Sequence, residues 1–185
     1  YGDHTVFEDF SAVFQKGQTT CMMAPSGAGK TTLLRILAGL EKVDSGQIEG
    51  LEGLRISMVF QEDRLCENLS ASANIRLVRG KKPWGRDKKL EAKISKAMAA
   101  VGLGGCEDQP VREFSGGMRQ RTALLRALYS EWDVLFLDEP FKGLDEETKE
   151  LVIEYTKKQC FGKTVIFVTH DRSEAGKMGG RLFKM

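Results

Sequence analysis

Apolar and polar positions along this chain change period several times. Residues 5 to 24 carry VFEDFSAVF, the polar turn QKGQ and the apolar run TTCMMA, which together predict a β-hairpin leading into a buried strand. After residues 25–29, KTTLLRILAGL places Leu33, Leu34, Ile36, Leu37 and Leu40 on one broad stripe. That is the spacing of a helix, closed near Gly39. DSGQIEG reads as a turn and RISMVF as a short strand. From about residue 64 to 130 strand signals fade, and LSASANIRL, KKLEAKISKAMAAVGL and GGMRQRTALLRALYS predict helices separated by glycine and proline. Strands return in VLFLD and TVIFVTH, with the helix ETKELVIEYTKKQ between them, a short helix at SEAGKM after them and a final RLFKM. Strands alternating with helices predict a three-layer α/β fold with a mainly parallel sheet. The predicted division is a core of residues 1–63 and 131–185, with an N-terminal antiparallel β portion, and an inserted helical subdomain over residues 64–130.

Composition adds exclusions rather than identity. The 185 residues are 41% hydrophobic and 29% charged, with a formal net charge of +2. That charge is too small to indicate nucleic acid or a membrane surface, and no nucleic-acid partner is expected. No apolar run approaches the roughly 18 residues of a membrane span, and YGDHTVFEDF lacks the basic start and apolar core of a signal peptide. Cys21, Cys66, Cys106 and Cys160 are scattered without metal-like spacing, which reads as reduced thiols in cytosol. The chain has no initiator Met, so it is expected to be a trimmed piece of something longer. The basic stretch RGKKPWGRDKKLEAK contains only Trp84 as an aromatic and reads as a solvated loop and helix face.

The first candidate chemistry is MMAPSGAGKTTLLRIL, an apolar strand, a glycine-rich turn and a helix. Backbone N–H groups of Gly27, Ala28, Gly29, Lys30 and Thr31 can wrap a phosphate at the positive end of the helix. Lys30 would reach terminal phosphates, Thr31 would offer its hydroxyl to Mg²⁺, and Thr32 adds a phosphate contact. Ala24 stands where the strict pattern has glycine. If the backbone there is left-handed, the methyl costs ~1–2 kcal/mol; if it is extended, little. The second is VLFLDEP, which sets Asp138 and Glu139 at the end of a strand with both faces apolar. Ligands of parallel sheets sit at that end. Asp138 can hold a Mg²⁺ shell, and Glu139 can orient and deprotonate a water.

The stretch EFSGGMRQRTALLRALYSEWDVLFLDEPFKGLD decides the class. Ser115, Gly116 and Gly117 open a helix and so make a second anion-binding end. Here the sequence resembles the nucleotide-binding domain of ABC transporters, whose signature LSGGQ appears as FSGGM. Gln61 in VFQEDRL matches the glutamine loop, Asp145 in GLD the loop after the acidic pair, and His170 in VTHD the switch histidine. Tyr1 lies where the family places an aromatic that stacks on adenine. Taken singly, Gln61 is also readable as a surface amide, Asp145 as a helix N-cap and His170 as an ordinary strand-end histidine.

The resemblance implies a P-loop NTPase core and two copies of the chain paired head to tail around two ATP molecules. Each ATP, with Mg²⁺, would be held by Ser26, Gly27, Ala28, Gly29, Lys30, Thr31 and Thr32 of one copy and by Ser115, Gly116 and Gly117 of the other. Thr31, Gln61 and Asp138 would serve the metal, Gln61 would also sense the attacking water and link the core to the helical lobe, Glu139 would be the general base, His170 would contact the γ-phosphate, and Asp145 would act across the dimer. The family implies a separate transmembrane permease, served by an extracytoplasmic solute-binding protein, with this chain at the cytoplasmic face of a bacterial membrane. VFQEDRL and SGGMRQR look most like importers of nitrate, sulfonate, taurine and related solutes. A non-transport ABC ATPase and a regulatory nucleotide-binding module are the alternatives.

Overall fold

The computed structural model describes residues 5–25, 27–79 and 87–184. Five strands form one sheet: β1 (Thr19–Met23), β2 (Ile56–Val59), β3 (Val134–Asp138), β4 (Thr164–Val168) and β5 (Arg181–Lys184). Their spatial order is β2-β3-β4-β1-β5, and every neighbouring pair is parallel. The carboxyl ends of β1, β3 and β4 therefore emerge on one edge side by side. The helices are α1 (Lys30–Leu37), α2 (Ala71–Arg76), α3 (Lys88–Ala100), α4 (Gly116–Tyr129), α5 (Glu146–Cys160) and α6 (Arg172–Met178).

Side-chain alternation along β3 explains the three layers. Val134 and Phe136 face one apolar cluster, with Met22, Leu33, Leu34, Ile166 and Val168. Leu135 and Leu137 face the other, with Phe167 and residues from the helices that follow, such as Leu124, Val152 and Met178. Both sheet faces are thus covered, as an all-parallel sheet requires. The helical segment is joined to this second layer: one cluster runs from Ala71, Ile75, Ile94 and Met98 through α4 onto the sheet.

The N-terminal antiparallel β portion does not form among the described residues; residues 5–18 carry no strand. Their aromatics recur at 7, 10 and 14 rather than at alternate positions, so no single sheet face could take them. Instead Phe7, Phe10 and Phe14 pack on the α1 face of the core, and rings of Phe10 and Phe14 meet Phe183 of β5. Hydrogen bonds to the sheet come at Gly17, whose N–H donates to Thr164 Oγ1 at 2.9 Å, and at Gln18, whose carbonyl accepts from Val165.

Inside the helical segment, Asn74 is fully buried at 0% exposure. Its Oδ1 accepts from Cys66 N–H, and its Nδ2 donates to the carbonyls of Cys66 and Ser70. It thereby fixes the loop that leads from Gln61 into α2. Asn74→Ala would strand several of these buried groups, each costing about 1–3 kcal/mol. The expected result is a loss of on the order of 3 kcal/mol of stability, read from urea unfolding; a loss below ~0.5 kcal/mol, the scale of an ordinary surface change, would contradict this role.

Candidate active site

The turn between β1 and α1 is shaped by two left-handed glycines, Gly27 and Gly29, each at φ 82°. Ala24 is not among the positive-φ residues, so its methyl sits where an L-residue is unstrained. A side chain at Gly29 would collide with Val6 Cγ1 and Phe7 Cζ, each 2.7 Å from the position of a Cβ. Glycine is therefore needed there twice, for conformation and for space. Leu33 N–H donates to Gly29 O at 2.8 Å and closes the first helical turn. The N–H groups of Lys30, Thr31 and Thr32 precede that turn and have no intrahelical acceptor, which leaves them for an anion at the positive helix end. Ser26 and Tyr1, both expected at this site, lie outside the described residues.

Lys30 is 8% exposed, and its ammonium donates to the carbonyls of Ala24 and Pro25, both at 2.7 Å. An ammonium has three protons, so the turn holds the cation and leaves it one donor. Thr31 Oγ1 donates to Asp138 Oδ2 at 2.7 Å and accepts from Gln61 Nε2 at 3.2 Å. Three segments, after β1, β2 and β3, converge on that hydroxyl. Asp138 is fully buried, and its other oxygen, Oδ1, has no hydrogen-bond partner. Burial holds its carboxyl above the ordinary range, the hydrogen bond from Thr31 opposes this, and the neighbouring Glu139 charge adds to it. A buried carboxylate with a free oxygen is costly by itself. Beside a hydroxyl and an amide it makes an oxygen donor set that suits a hard divalent cation, with phosphate and water completing the shell.

Glu139, the next residue, sits at φ 48°, one of three non-glycine residues with positive φ among those described. Its N–H donates to Val168 O at 3.0 Å and Gln120 Nε2 donates to Pro140 O at 3.2 Å, so the strained turn is held on both sides. Backbone strain of this kind collects at functional sites. Glu139 Oε1 is 3.3 Å from His170 Nδ1, at the end of β4, and Oε2 is 3.4 Å from Lys142 Nζ. His170 is thus more than a strand-end residue: it and Lys142 flank one carboxylate.

Ser115 is different. It caps α4, accepting from Met118 N–H at 3.3 Å, and no hydrogen bond or ion pair among the described residues joins it to Lys30, Thr31 or Asp138. It and Gly116 are exposed at the start of α4. Arg119 N–H donates to Ser115 O, so the N–H groups of Gly116 and Gly117 precede the first closed turn and have no intrahelical acceptor. Asp145 takes the capping role, accepting from Thr148 N–H at 3.0 Å at the start of α5. A Cβ on Gly117 would meet Leu144 Cδ2 at 3.2 Å, which places the loop before Asp145 directly against the Ser115 turn.

Sequence reasoning did not identify the side chains that tie these two halves together. Arg119 makes a two-pronged pair with Asp63, Nε to Oδ2 at 2.7 Å and Nη2 to Oδ1 at 3.0 Å. Burial alone would raise the Asp63 carboxyl; the Arg119 fork and the Leu65 N–H hold it below its ordinary range. Arg126, about two turns further along α4, donates to the carbonyls of Asp63 and Arg64. The signal was present, an acid in VFQEDRL and arginines in MRQRTALLR, but nothing local says that these stretches meet.

A family model described as "ABC transporter" matches residues 7–142. The chain is 36% identical over 197 residues to the sulfate/thiosulfate import ATP-binding protein CysA of Xanthomonas campestris pv. campestris, an alignment covering 98% of this chain and 57% of that protein. It is 36% identical over 189 residues to the aliphatic sulfonates import ATP-binding protein SsuB 2 of Pseudomonas syringae pv. tomato, covering all of this chain and 78% of that protein. An iron(3+) ion import ATP-binding protein of Pectobacterium atrosepticum is 38% identical, covering 95% of this chain and 53% of its own length. The chain thus spans little more than half of some of the curated relatives it matches. Among solved structures, the dimeric bacterial ABC transporter cassette MJ0796 superposes with a TM-score of 0.84 at 26% identity, covering 97% of this chain and 86% of that one. A dimeric post-hydrolysis state of that cassette, bound to ADP and Pi, gives a TM-score of 0.81.

Two outcomes check this geometry. Gly29→Ala should weaken binding of a fluorescent ATP analogue roughly tenfold or more, the size of ~1–2 kcal/mol of left-handed strain, while Ala24→Gly leaves it nearly unchanged; equal effects would refute the distinction. A folded carboxyl held above its ordinary range binds its proton more tightly than the unfolded chain, so its ionisation removes stability as pH rises through that interval. Asp138→Asn is therefore expected to raise the urea midpoint at pH 7, with the advantage shrinking as pH falls. A midpoint lowered at pH 7 would contradict the cost assigned to Asp138.

Proposed function

The chain belongs to the ABC transporter family, and on that premise we propose that it is the ATP-binding and ATP-hydrolysing part of a solute importer. The observation that carries this reading is the convergence of Thr31, Gln61 and Asp138 beside the Glu139–His170 pair, all at one end of the sheet. Residues of one role alone, a phosphate turn or a carboxylate pair, would not need the others.

In this reading ATP lies along the N-terminus of α1. Ser26, Gly27, Ala28, Gly29, Lys30, Thr31 and Thr32 hold its phosphates by backbone donors, hydroxyls and the Lys30 ammonium, with Tyr1 at the base. Thr31, Gln61 and Asp138 are the groups that would hold Mg²⁺, which supplies charge neutralisation to the phosphates when bound. Glu139 receives the proton of the attacking water at its carboxylate. His170, hydrogen-bonded to that carboxylate, orients it and reaches the γ-phosphate. Phosphoryl transfer asks a protein mainly for positioning and charge stabilisation, and the strained, doubly anchored turn at Glu139 provides the first.

Ser115, Gly116 and Gly117 serve a nucleotide held by another copy of the chain. The exposed start of α4 supports this, because among the described residues the N–H groups of Gly116 and Gly117 have no acceptor. Asp145, at the loop against Gly117, faces the same interface. Pairing two half-sites makes hydrolysis conditional on closure and turns the chemistry into movement. The movement would be passed to separate permease subunits in the membrane, with a solute-binding protein outside. No helix among the described residues is long and apolar enough to cross a membrane. Residues 64–130 act as the helical subdomain, and residues 1–63 and 131–185 as the ATP-binding core. The relatives carry names for sulfate, sulfonate and iron import, so the family alone does not give the cargo, and in this reading the permease chooses it.

Phosphate release from ATP is the direct test. Lys30→Ala and Glu139→Gln should each lower it by 10² or more, the scale of a general base or a lost phosphate clamp. Glu139→Gln should still bind ATP and should accumulate an ATP-containing dimer on sizing chromatography. Parental rates in both variants would overturn the assignment, and ATP binding without any turnover by the parent chain would favour a regulatory nucleotide-binding module.

A further inference from the structure

Two carboxylates are buried among the described residues, Asp138 and Glu174. The chemistry above uses only the first. Glu174 lies in the first turn of α6, 6% exposed. Its Oε2 accepts from the Thr169 hydroxyl at 2.6 Å, and its Oε1 is 3.5 Å from Lys149 Nζ. Thr169 Oγ1 in turn accepts from Asp171 N–H at 3.0 Å. The residues on either side of His170 are thereby joined through one hydroxyl, and Glu174 holds that hydroxyl in place. Lys149 also lies 3.6 Å from Asp171 Oδ2 and 3.6 Å from Glu146 Oε2, with only 17% of its side chain exposed.

A buried carboxylate–ammonium pair is seldom worth more to stability than two apolar side chains of the same size. Its position here gives it another use. Lys149 stands one turn beyond the Asp145 cap of α5, and the loop before that cap touches Gly117. A continuous set of contacts therefore runs from the Ser115–Gly117 turn through Leu144 and α5 to Lys149, Glu174, Thr169 and His170, and ends at Glu139.

We propose that Glu174 and Lys149 are positioning residues that hold the His170 turn against Glu139 and lock it to the start of α5. His170 is itself 69% exposed at its side chain, so little else keeps its ring in register. The proposal rests on the reading of Glu139 and His170 as the hydrolytic pair.

The test compares Lys149→Met, Glu174→Met, the double Met variant and Lys149→Arg with the parent chain, in ATP hydrolysis and in amide hydrogen exchange. The double Met variant keeps the volume and leaves no unpaired buried charge, so it separates positioning from misfolding. Both single Met variants and the double variant are expected to lower kcat about tenfold with KM within about threefold. Lys149→Arg should restore most of the rate. On a His170→Ala background Lys149→Met should cost nothing further, since residues acting as one unit are not additive. Exchange at the Asp171 amide should quicken in the Met variants while β3 and β4 stay protected. Unchanged exchange at Asp171, or a full additional loss on the His170→Ala background, would overturn the proposal. A parent chain that hydrolyses no ATP counts against the proposed function, and the exchange measurement then still decides whether these residues hold the turn.

Discussion

The hydrogen bond from Thr31 to Asp138 is the joint on which the site is built. It spans 107 positions of sequence and closes the gap between the first turn of α1 and the end of β3 at 2.7 Å. Without it, the phosphate turn and the acidic strand end would be two features at the rim of a sheet. Its cost is evident in the carboxylate itself, fully buried with one oxygen unpartnered. A sequence selected for stability alone would not leave that group there. The fold tolerates it because β3 is otherwise apolar on both faces, so the strand end is fixed by packing at Leu135, Phe136 and Leu137 rather than by the acid.

Around that joint, the parts of the site are held by different kinds of contact. The core edge is held by ladders: Glu139 N–H to Val168, Thr169 N–H to Met22. The helical segment shares an apolar cluster with it and is tied to it by charge as well. Asp63 and Arg119 pair two-pronged between the Gln61 loop and α4, and Arg126 clasps the same loop by two carbonyls. These bonds connect α4, and with it Ser115, to the loop whose Gln61 touches Thr31. Two-pronged arginine pairs carry direction as well as attraction, and this makes them suited to passing a displacement between parts that share one apolar cluster.

Much of this was legible in the sequence because the relevant signals are local. The apolar runs of β1, β3 and β4, the helix stripe after Lys30 and the caps at Ser115 and Asp145 all lie within a few residues of what they specify. The parallel order followed from alternation of strands and helices. The antiparallel β portion was misjudged because VFEDFSAVF looks strand-like in composition, while its aromatics at 7, 10 and 14 are spaced for packing rather than pairing. Ala24 was ambiguous in sequence, since its cost depends on a backbone angle no pattern reports. The Asp63–Arg119 pair and the Thr169–Glu174–Lys149 group were invisible for a different reason: their members are distant in sequence and ordinary in type. Tyr1 and Ser26 lie outside the described residues, and their roles rest on the resemblance.

The central claim is that one working site needs two copies of the chain, the phosphate turn from one and the Ser115 turn from the other. Complementation measures this most directly. Lys30→Ala protein and Ser115→Arg protein are assayed for ATP hydrolysis separately and after mixing in equal amounts. Each alone should be inactive, and the mixture should regain hydrolysis, because a mixed pair contains one intact Lys30 turn facing one intact Ser115 turn. Hydrolysis at the parental rate by Ser115→Arg protein alone, or a mixture as inactive as its components, would contradict it.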